Sequence, residues 1–276
     1  MIIADRILDL VKNSRKLSKP NRYFREIIEY DYKDFVKNIK DENFVFNSIS
    51  NIVNGDVYIL RSAASKEFCK KIIRTLDNYS KNNETMTHKI LDGVKNGYFV
   101  SKNLSDSGYK TNDRSFYFFS WNKDETMLYE DIINLYKPLK ILNGLKDDEI
   151  TTNIPSDGVV ERVHVIHYPN GGGQISKHVD PTKLSNANFG LYCTQYGKDY
   201  HKGGFFVENK KNQKVELDKK IKLGDLVIFF PGLIHGVDPV YVEGDESNSS
   251  SGRWFCNINL QYSHHVKNRE YAIAMD

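Results

Sequence analysis

The sequence predicts a mainly β fold, an antiparallel sandwich or small barrel with flanking helices (the α+β class), and three observations lead to it. From Gly158 onward, short apolar runs alternate with turn signals, which is typical of such sheets. Aromatic residues, which favour strands, make up 12% of the chain. Before Gly158, apolar residues instead recur at helical spacing in several segments.

The first fifty residues predict two helices. The first apolar stripe ends at Ser18-Lys19-Pro20, and a second follows that interruption. The stripes consist of Ile3, Ile7, Leu10 and Val11, then Phe24, Ile27, Ile28, Phe35, Val36 and Ile39. Residues 1–50 are therefore expected to form a helical extension packed on a main domain at 51–276. A dimer contact or a substrate lid is the alternative role for these helices.

The next hundred residues mix strands and helices. Residues 56–61 predict a strand and residues 65–80 a helix whose inward face carries Phe68, Cys69, Ile72, Ile73 and Leu76. The polar segment 82–111 predicts irregular structure, either a loop near a site or solvated surface. An aromatic strand is predicted at 116–121 and a further helix at 125–144.

The region 158–262 is predicted to be the β core. Its apolar runs are bounded by glycine and proline turns, including Gly224-Asp225 and Pro231-Gly232. The runs are Val159–Tyr168, Phe189–Thr194, Gly203–Val207, Leu226–Phe230 and Trp254–Tyr262. The polar segment Glu243–Gly252 predicts a flexible loop between the last two strands.

Composition argues against several classes of protein. The 39 basic and 36 acidic residues give a net charge of +3, too balanced to indicate a nucleic-acid surface. The three cysteines form no C-x-x-C pair, which favours a reducing compartment. No run reaches membrane-spanning length, and the N-terminus lacks the apolar centre of a signal peptide. We expect a soluble, cytoplasmic protein, with a homodimer left open.

A candidate metal site begins in Lys177-His178-Val179-Asp180-Pro181. On a strand, residues two apart point to the same face, so His178 and Asp180 can reach one metal. An imidazole and a carboxylate suit iron(II) without closing its coordination sphere. This is the one His-x-Asp or His-x-Glu sequence in a chain with eight histidines.

His235 is the third candidate ligand. It stands alone in an apolar stretch that runs from Leu226 to Val240. A lone histidine in such a stretch is ordinarily a hydrogen-bonded core residue. With His178 and Asp180, however, it completes the set of two histidines and one carboxylate that non-haem iron oxygenases use, leaving positions open for oxygen and a cosubstrate.

Arg253 is a candidate anion-binding residue. It begins an apolar strand directly after the Glu243–Gly252 loop. An arginine there is usually a surface charge, but a guanidinium can also bind a carboxylate through two parallel hydrogen bonds.

In chain order these features resemble the iron(II)/2-oxoglutarate dioxygenase superfamily, in particular its prolyl-4-hydroxylase-like branch. The resemblance covers residues 158–262 and the strand–helix opening at 56–80. It rests on the strand ending in Tyr168, His178-x-Asp180, Gly203-Gly204-Phe205, Gly224-Asp225, His235 and Arg253. It implies a double-stranded β-helix (jelly-roll) core.

The resemblance also implies roles for these residues. His178, Asp180 and His235 would ligate Fe(II), Arg253 would bind the distal carboxylate of 2-oxoglutarate, and Tyr168 would hydrogen-bond the same cosubstrate. Two features depart from the family pattern. The loop before Arg253 is long, and Phe255 stands where many relatives carry a small hydroxyl residue. Tyr168 and Thr194 are the candidates to complete the carboxylate site.

The implied reaction uses Fe(II), 2-oxoglutarate and O2 to hydroxylate an unactivated C–H bond of a small molecule, such as an amino acid or biosynthetic intermediate, with release of succinate and CO2. Related halogenases lack the carboxylate, so Asp180 favours hydroxylation over halogenation; desaturation stays open. Arg162 and His164 share a strand face with Tyr168, and Gln174 lies beside the site. All three are candidates for substrate contact, although Arg162 and His164 equally suit a structural hydrogen-bond pair.

Two alternative functions remain at this point. The first is a peptide or protein residue hydroxylase, which needs an open groove instead of a closed pocket. The second is a non-catalytic, cupin-like barrel that binds a metal or ligand and gives Arg253 no role. His264 and His265, beyond the last predicted core strand, are expected to have no role in the site.

Overall fold

The computed structural model describes residues 20–86, 89–102, 108–244 and 249–275. The helices are α1 (Tyr32–Asn38), α2 (Glu42–Val53), α3 (Lys66–Asn82) and α4 (Tyr129–Tyr136), with 3-10 turns at Lys137–Asn143, Pro155–Asp157 and Asp218–Lys220. The strands are β1 (Ile27–Asp31), β2 (Val57–Arg61), β3 (Gly97–Ser101), β4 (Thr111–Phe119), β5 (Val159–Pro169), β6 (Gly173–Val179), β7 (Asn188–Tyr192), β8 (Lys202–Glu208), β9 (Lys214–Glu216), β10 (Leu226–Phe229), β11 (His235–Tyr241), β12 (Gly252–Tyr262) and β13 (Ile273–Ala274).

The strands form two layers that β4 connects. One layer has the order β1-β2-β10-β7-β12-β5-β4, with β3 on β4; the other has the order β6-β11-β8-β9, with β13 on β6. Arg114–Phe119 of β4 pair with β5, whereas Thr111 and Asn112 pair with β6. All named pairings are antiparallel except β1 with β2. The predicted mainly β, jelly-roll architecture with flanking helices is confirmed.

Apolar side chains fill two main regions of the core. One lies between the helices and the outer face of the first layer, where Ile52, Ile72 and Tyr136 meet Val165 and Trp254. The other lies between the two layers and joins side chains of both. The helices thus cover one face of the first layer. The opposite face points into the barrel and lines the cavity.

Helix α3 agrees with the sequence prediction. Ser65 caps it by accepting a hydrogen bond from the Phe68 amide at 3.1 Å. Cys69, Ile72 and Leu76 are fully buried on its inward face. The strand predicted at 56–61, the aromatic strand and the helical region at 125–144 are confirmed as β2, β4, and α4 with its following 3-10 turn.

Two local predictions are wrong. Residues 27–31 form β1 instead of continuing a helix, because their backbone pairs in parallel with β2. The segment predicted as irregular contains β3, which pairs with β4 from Gly97 to Ser101. The first apolar stripe, from Ile3 to Val11, lies outside the described residues.

In the part of the chain that the structure describes, no helix combines the length and apolar character needed to cross a bilayer.

Candidate active site

Strand register brings His178 and His235 together. The two residues are direct partners across the antiparallel pair β6–β11, so their side chains leave the layer on the same side. Their ring centroids are 4.3 Å apart, and both residues are buried. The register thus sets two imidazoles side by side.

Asp180 joins them from just beyond the end of β6. Its amide donates to the Pro231 carbonyl at 2.9 Å, which holds the chain as it leaves the strand. Its Oδ1 lies 3.6 Å from His178 Nε2, and its Oδ2 lies 3.6 Å from His235 Nε2. One ligand atom from each of the three residues lies within 4.8 Å of the others. That separation suits three ligands of one ion.

Outer hydrogen bonds fix the orientation of all three side chains. His178 Nδ1 faces the Ser176 carbonyl and His235 Nδ1 faces the Leu233 carbonyl, each at 2.8 Å. A carbonyl can only accept, so each Nδ1 donates and each Nε2 keeps its lone pair toward Asp180. Asn188 donates to Asp180 Oδ2 at 2.8 Å.

The protonation states also suit a metal. Burial lowers the pKa of His235 to about 4, and the neighbouring His178 acts in the same direction. Burial alone would raise the pKa of Asp180, but the two adjacent histidines and the hydrogen bond from Asn188 outweigh it and bring the pKa to about 2. At neutral pH the set therefore offers a carboxylate and a neutral imidazole, the forms that bind metal. A donor set of two histidines and one carboxylate would suit iron(II).

Arg253 lies on the wall of the same cavity. It is 1% exposed, and its Nε donates to Asp218 Oδ2 at 2.7 Å. Asp218 also accepts from the Tyr200 hydroxyl at 2.5 Å and from the Phe205 amide at 2.9 Å. Burial opposes the charge on Arg253, but the Asp218 carboxylate keeps the pKa of the guanidinium well above its usual value. The Nη1 nitrogen takes no part in this ion pair.

The cavity has a volume of ≈ 330 Å³ and two chemically different ends. Arg253 and its register partner Tyr168 line one end, and Tyr168 belongs to one apolar cluster with the lining residues Phe205, Phe229 and Phe255. The other end is polar and is lined by Tyr117, Arg162, His164, Asn257, Asn259 and Gln261. The metal-ligand candidates line the same cavity.

Arg162 and His164 both line this cavity, as their strand face predicts. The guanidinium carbon of Arg162 lies 4.5 Å from the Tyr117 ring centroid. His164 Nε2 lies 3.0 Å from Ser115 Oγ. Burial, followed by the nearby Arg162, lowers the pKa of His164 well below its usual value, so the ring is neutral.

The structure does not bring Thr194 or Gln174 to the cavity. The Thr194 hydroxyl accepts from the Trp254 amide at 2.8 Å and lies 3.4 Å from the Trp254 carbonyl, so it is engaged by backbone. Gln174 pairs with Asn112 across β4 and β6, and its neighbour Ile175 lines the cavity instead. Of the sequence candidates for the carboxylate site, Arg253 and Tyr168 line the cavity.

Sequence reasoning missed two parts of the site. One is Asp218, which lies in a 3-10 turn and has no motif of its own. The other is the segment Glu270–Ala272, which lines the cavity. Glu270 accepts from the amides of Thr182 and Lys183 at 3.2 and 3.1 Å, next to the metal-ligand candidates. The β13 pairing with β6 then holds this segment against the site.

The sequence matches no protein-family profile and no curated protein. Solved structures are similar to it in fold. A prolyl hydroxylase from Trichoplax adhaerens, in complex with a hypoxia inducible factor peptide fragment, is 12% identical over 83% of this chain and 92% of its own, with a TM-score of 0.50. A putative 2OG-Fe(II) oxygenase family protein from Caulobacter crescentus is 11% identical over 90% and 87%, also with a TM-score of 0.50.

A third similar structure, a prolyl-4-hydroxylase from Pseudomonas putida, is 10% identical over 78% of this chain and 97% of its own, with a TM-score of 0.49. At these identities the two likenesses with a TM-score of 0.50 establish the fold. The predicted resemblance to iron(II)/2-oxoglutarate oxygenases is therefore confirmed for the fold.

Proposed function

We propose that this protein, which has the fold of those oxygenase structures, is an iron(II)- and 2-oxoglutarate-dependent oxygenase that hydroxylates a C–H bond of a small molecule. One observation carries the proposal. His178, Asp180 and His235 meet within 4.8 Å on the wall of a cavity that Arg253 also lines. A metal-binding barrel without oxygenase activity would need the first three residues and would have no use for the fourth.

The three ligand candidates would hold the iron. With 2-oxoglutarate and O2, iron(II) supplies the oxidising chemistry, and the reaction releases succinate and CO2. Asp180 occupies the carboxylate position of the set, which supports hydroxylation as the outcome. The carbonyls of Ser176 and Leu233 hold the two imidazoles in the tautomer that such binding requires.

Arg253 and Tyr168 would bind the distal carboxylate of 2-oxoglutarate. Asp218 holds the Nε edge of the guanidinium in place, which reduces the entropy lost when the remaining donors bind an anion. Tyr168 is the register partner of Arg253 on β5, so both side chains reach the same end of the cavity.

Aromatic rings limit water around the metal-ligand candidates. Tyr109 stacks on His178 at 5.2 Å between centroids, and Phe229 lies edge-on to His235 at 5.0 Å. Low water content strengthens the interactions of charged groups and protects reactive species from side reactions.

The cavity supports a small molecule as substrate. Its volume of ≈ 330 Å³ is near the lower end of ordinary ligand pockets. The Glu270–Ala272 segment crosses beside the metal-ligand candidates, and backbone hydrogen bonds from Thr182 and Lys183 hold it there. An extended peptide would have to displace that segment.

An anaerobic spectroscopic titration tests this function. Iron(II) and 2-oxoglutarate are added to the apoprotein, and the visible charge-transfer band of their chelate is measured. We expect a band in the wild type, no band in His178→Ala, and a band that needs more 2-oxoglutarate in Arg253→Ala. His265→Ala removes an exposed histidine paired with Asp92 and serves as the control that keeps the band.

Metal binding without a band in the wild type would replace the oxygenase proposal with a cupin-like binding function.

A further inference from the structure

The paired strands β5 and β12 form one wall of the cavity. Four residues of each strand lie opposite one another along this wall. The pairs are Arg253 with Tyr168, Phe255 with Ile166, Asn257 with His164, and Asn259 with Arg162. All of these residues line the cavity. The wall thus passes from the end proposed for 2-oxoglutarate, across an apolar step, to a polar end that has no assigned ligand.

Arg162 is a cation without a counter-ion at this polar end. Its Nε donates to Asn259 Oδ1 at 3.2 Å, and its guanidinium lies over the Tyr117 ring. Neither partner carries a negative charge. Among the described residues, no carboxylate oxygen lies within 4.0 Å of the Arg162 guanidinium.

Three other arginines whose side chains are largely buried differ in this respect. Arg253 pairs with Asp218, Arg114 with Asp77, and Arg61 with Asp225. A guanidinium stays charged in proteins, and a desolvated charge without a partner is costly. The partner of Arg162 is therefore expected to come with the ligand, as an anion that matches the guanidinium fork.

Asn257 provides a second, independent sign of a missing ligand group. Its side-chain oxygen is buried and has no hydrogen-bond partner among the described residues. Buried polar atoms are normally hydrogen-bonded. Its register partner His164 is already hydrogen-bonded to Ser115. The polar end thus lacks both an anion and a hydrogen-bond donor.

On the basis of the proposed function, we propose that the prime substrate is a small carboxylic acid whose carboxylate pairs with Arg162 and whose N–H or O–H group donates to Asn257. Asn257 is one inward-facing step along β12, about 6.6 Å, from Asn259, the register partner of Arg162, so the donor lies a few bonds from the carboxylate. Amino acids and hydroxy acids have this arrangement.

The charges of the cavity favour a carboxylate over a phosphate. Arg253 is neutralised by Asp218, and no lysine lines the cavity among the described residues. A single guanidinium balances one negative charge, whereas a phosphate group carries more and ordinarily attracts several cationic groups. Of the two acidic residues that line the cavity among the described residues, Glu270 forms an ion pair with Lys183 at 3.4 Å and Asp180 belongs to the metal-ligand candidates.

The test measures binding of matched acids and amides by calorimetry. The full-length protein, loaded anaerobically with iron(II) and 2-oxoglutarate, is titrated with the common L-amino acids, the matching 2-hydroxy acids, and the primary amides of both. We expect at least one acid to bind and its amide to bind at least about 30-fold more weakly. Arg162→Gln should weaken the acid by a similar factor and leave 2-oxoglutarate affinity unchanged.

A second variant covers the case in which Arg162→Gln does not fold. Asn259→Asp places a carboxylate at the position that Arg162 Nε already contacts. The variant should raise the melting temperature, because it supplies the missing counter-ion, and should abolish acid binding. Asn82→Asp, a like change at the exposed end of helix α3 and away from the cavity, should not raise the melting temperature.

The proposal is overturned if no acid of the panel binds, if acid and amide bind equally, or if Asn259→Asp leaves acid binding intact. Running the same titrations on protein without metal and 2-oxoglutarate separates the two hypotheses. If the wild type shows no Fe(II)·2-oxoglutarate band but binds an acid in a way that depends on Arg162, the oxygenase proposal is rejected and the acid site is retained. The reverse result would reject the acid site alone.

Discussion

The two faces of the paired strands β4 and β5 each carry an arginine beside a histidine, and the two arginine–histidine pairs are built differently. On the outer face, Arg114 donates from Nε to His167 Nδ1 at 2.8 Å and reaches Asp77 at 3.3 Å. On the inner face, Arg162 and His164 have neutral partners and no carboxylate within 4.0 Å among the described residues. The residue types are the same, but only the outer pair has its charge balanced.

The difference separates polar groups that support the fold from those that face a ligand. Arg114 joins helix α3 to the segment around Ser249, because Asp77 also accepts from the Ser249 hydroxyl at 3.0 Å. That network fixes the end of the loop just before Arg253. A network in which every charge has a partner stabilises the protein without a ligand. The inner pair, in contrast, would gain a negatively charged partner for Arg162 only when a ligand binds.

The largest effect is expected from making a second inner arginine unpaired. Asp218→Ala removes the carboxylate from buried Arg253, Tyr200 and the Phe205 amide together. The free energy of unfolding should fall by about 3–5 kcal/mol, because a buried charge loses its partner. Urea denaturation measures this change. The half-exposed Glu29, paired with Arg61, provides the control, and Glu29→Ala should cost less than about 1 kcal/mol. Equal losses in the two variants would contradict the account.

Matched arginine replacements test the two faces directly. Arg114→Met should lower the free energy of unfolding by about 2–3 kcal/mol, because Asp77 loses a partner within a buried network. Arg162→Met should change it by less than about 1 kcal/mol, because the substitution removes a charge that has no counter-ion. Both are measured by urea denaturation without added ligand. If Arg162→Met is the more destabilising of the two, the comparison between the faces is incorrect.

The outer histidine should make stability depend on pH. Burial, and then the adjacent Arg114, lowers the pKa of His167 from 6.5 to about 3. The folded state therefore favours the neutral ring, and the unfolded chain binds the extra proton. This contribution is complete above pH 6.5 and is lost as the pH falls toward 3. Between pH 7 and pH 5 it amounts to about 2 kcal/mol.

His167→Gln should remove this part of the acid destabilisation. Comparing urea denaturation of the variant and the wild type at pH 7 and pH 5 isolates it from the other titrating groups. Parallel losses in the two proteins would mean that His167 is not buried in its neutral form.

The sequence predicted the elements that local periodicity specifies and missed those that depend on distant pairing. Helix α3 was readable from its Ser65 cap and apolar stripe. The segment Phe24–Ile28 also fits helical spacing, but residues 27–31 form β1 because β2 offers its backbone as a parallel partner. The short strand β3 was hidden in a polar segment, and its pairing with β4 is long-range.

The same division holds for the candidate site. His178 and Asp180 were readable because side chains alternate along a strand, and His235 because its context is apolar. Asp218 was not, because it reaches Arg253 from a 3-10 turn 35 residues away. For the candidate Thr194, no sequence signal reveals that the Trp254 backbone engages its hydroxyl.

The central claim is that one molecule of 2-oxoglutarate contacts both Arg253 and a metal ion held by His178, Asp180 and His235. The affinity for 2-oxoglutarate, measured by calorimetry with and without Mn(II) as a redox-stable substitute for iron(II), tests it most directly. In the wild type we predict at least about tenfold tighter binding with the metal. Asp180→Ala should lose this coupling, and Arg253→Gln should weaken binding in both conditions. The claim would be contradicted if wild-type protein bound 2-oxoglutarate equally well with and without Mn(II). It would also be contradicted if Asp180→Ala still bound 2-oxoglutarate more tightly with Mn(II).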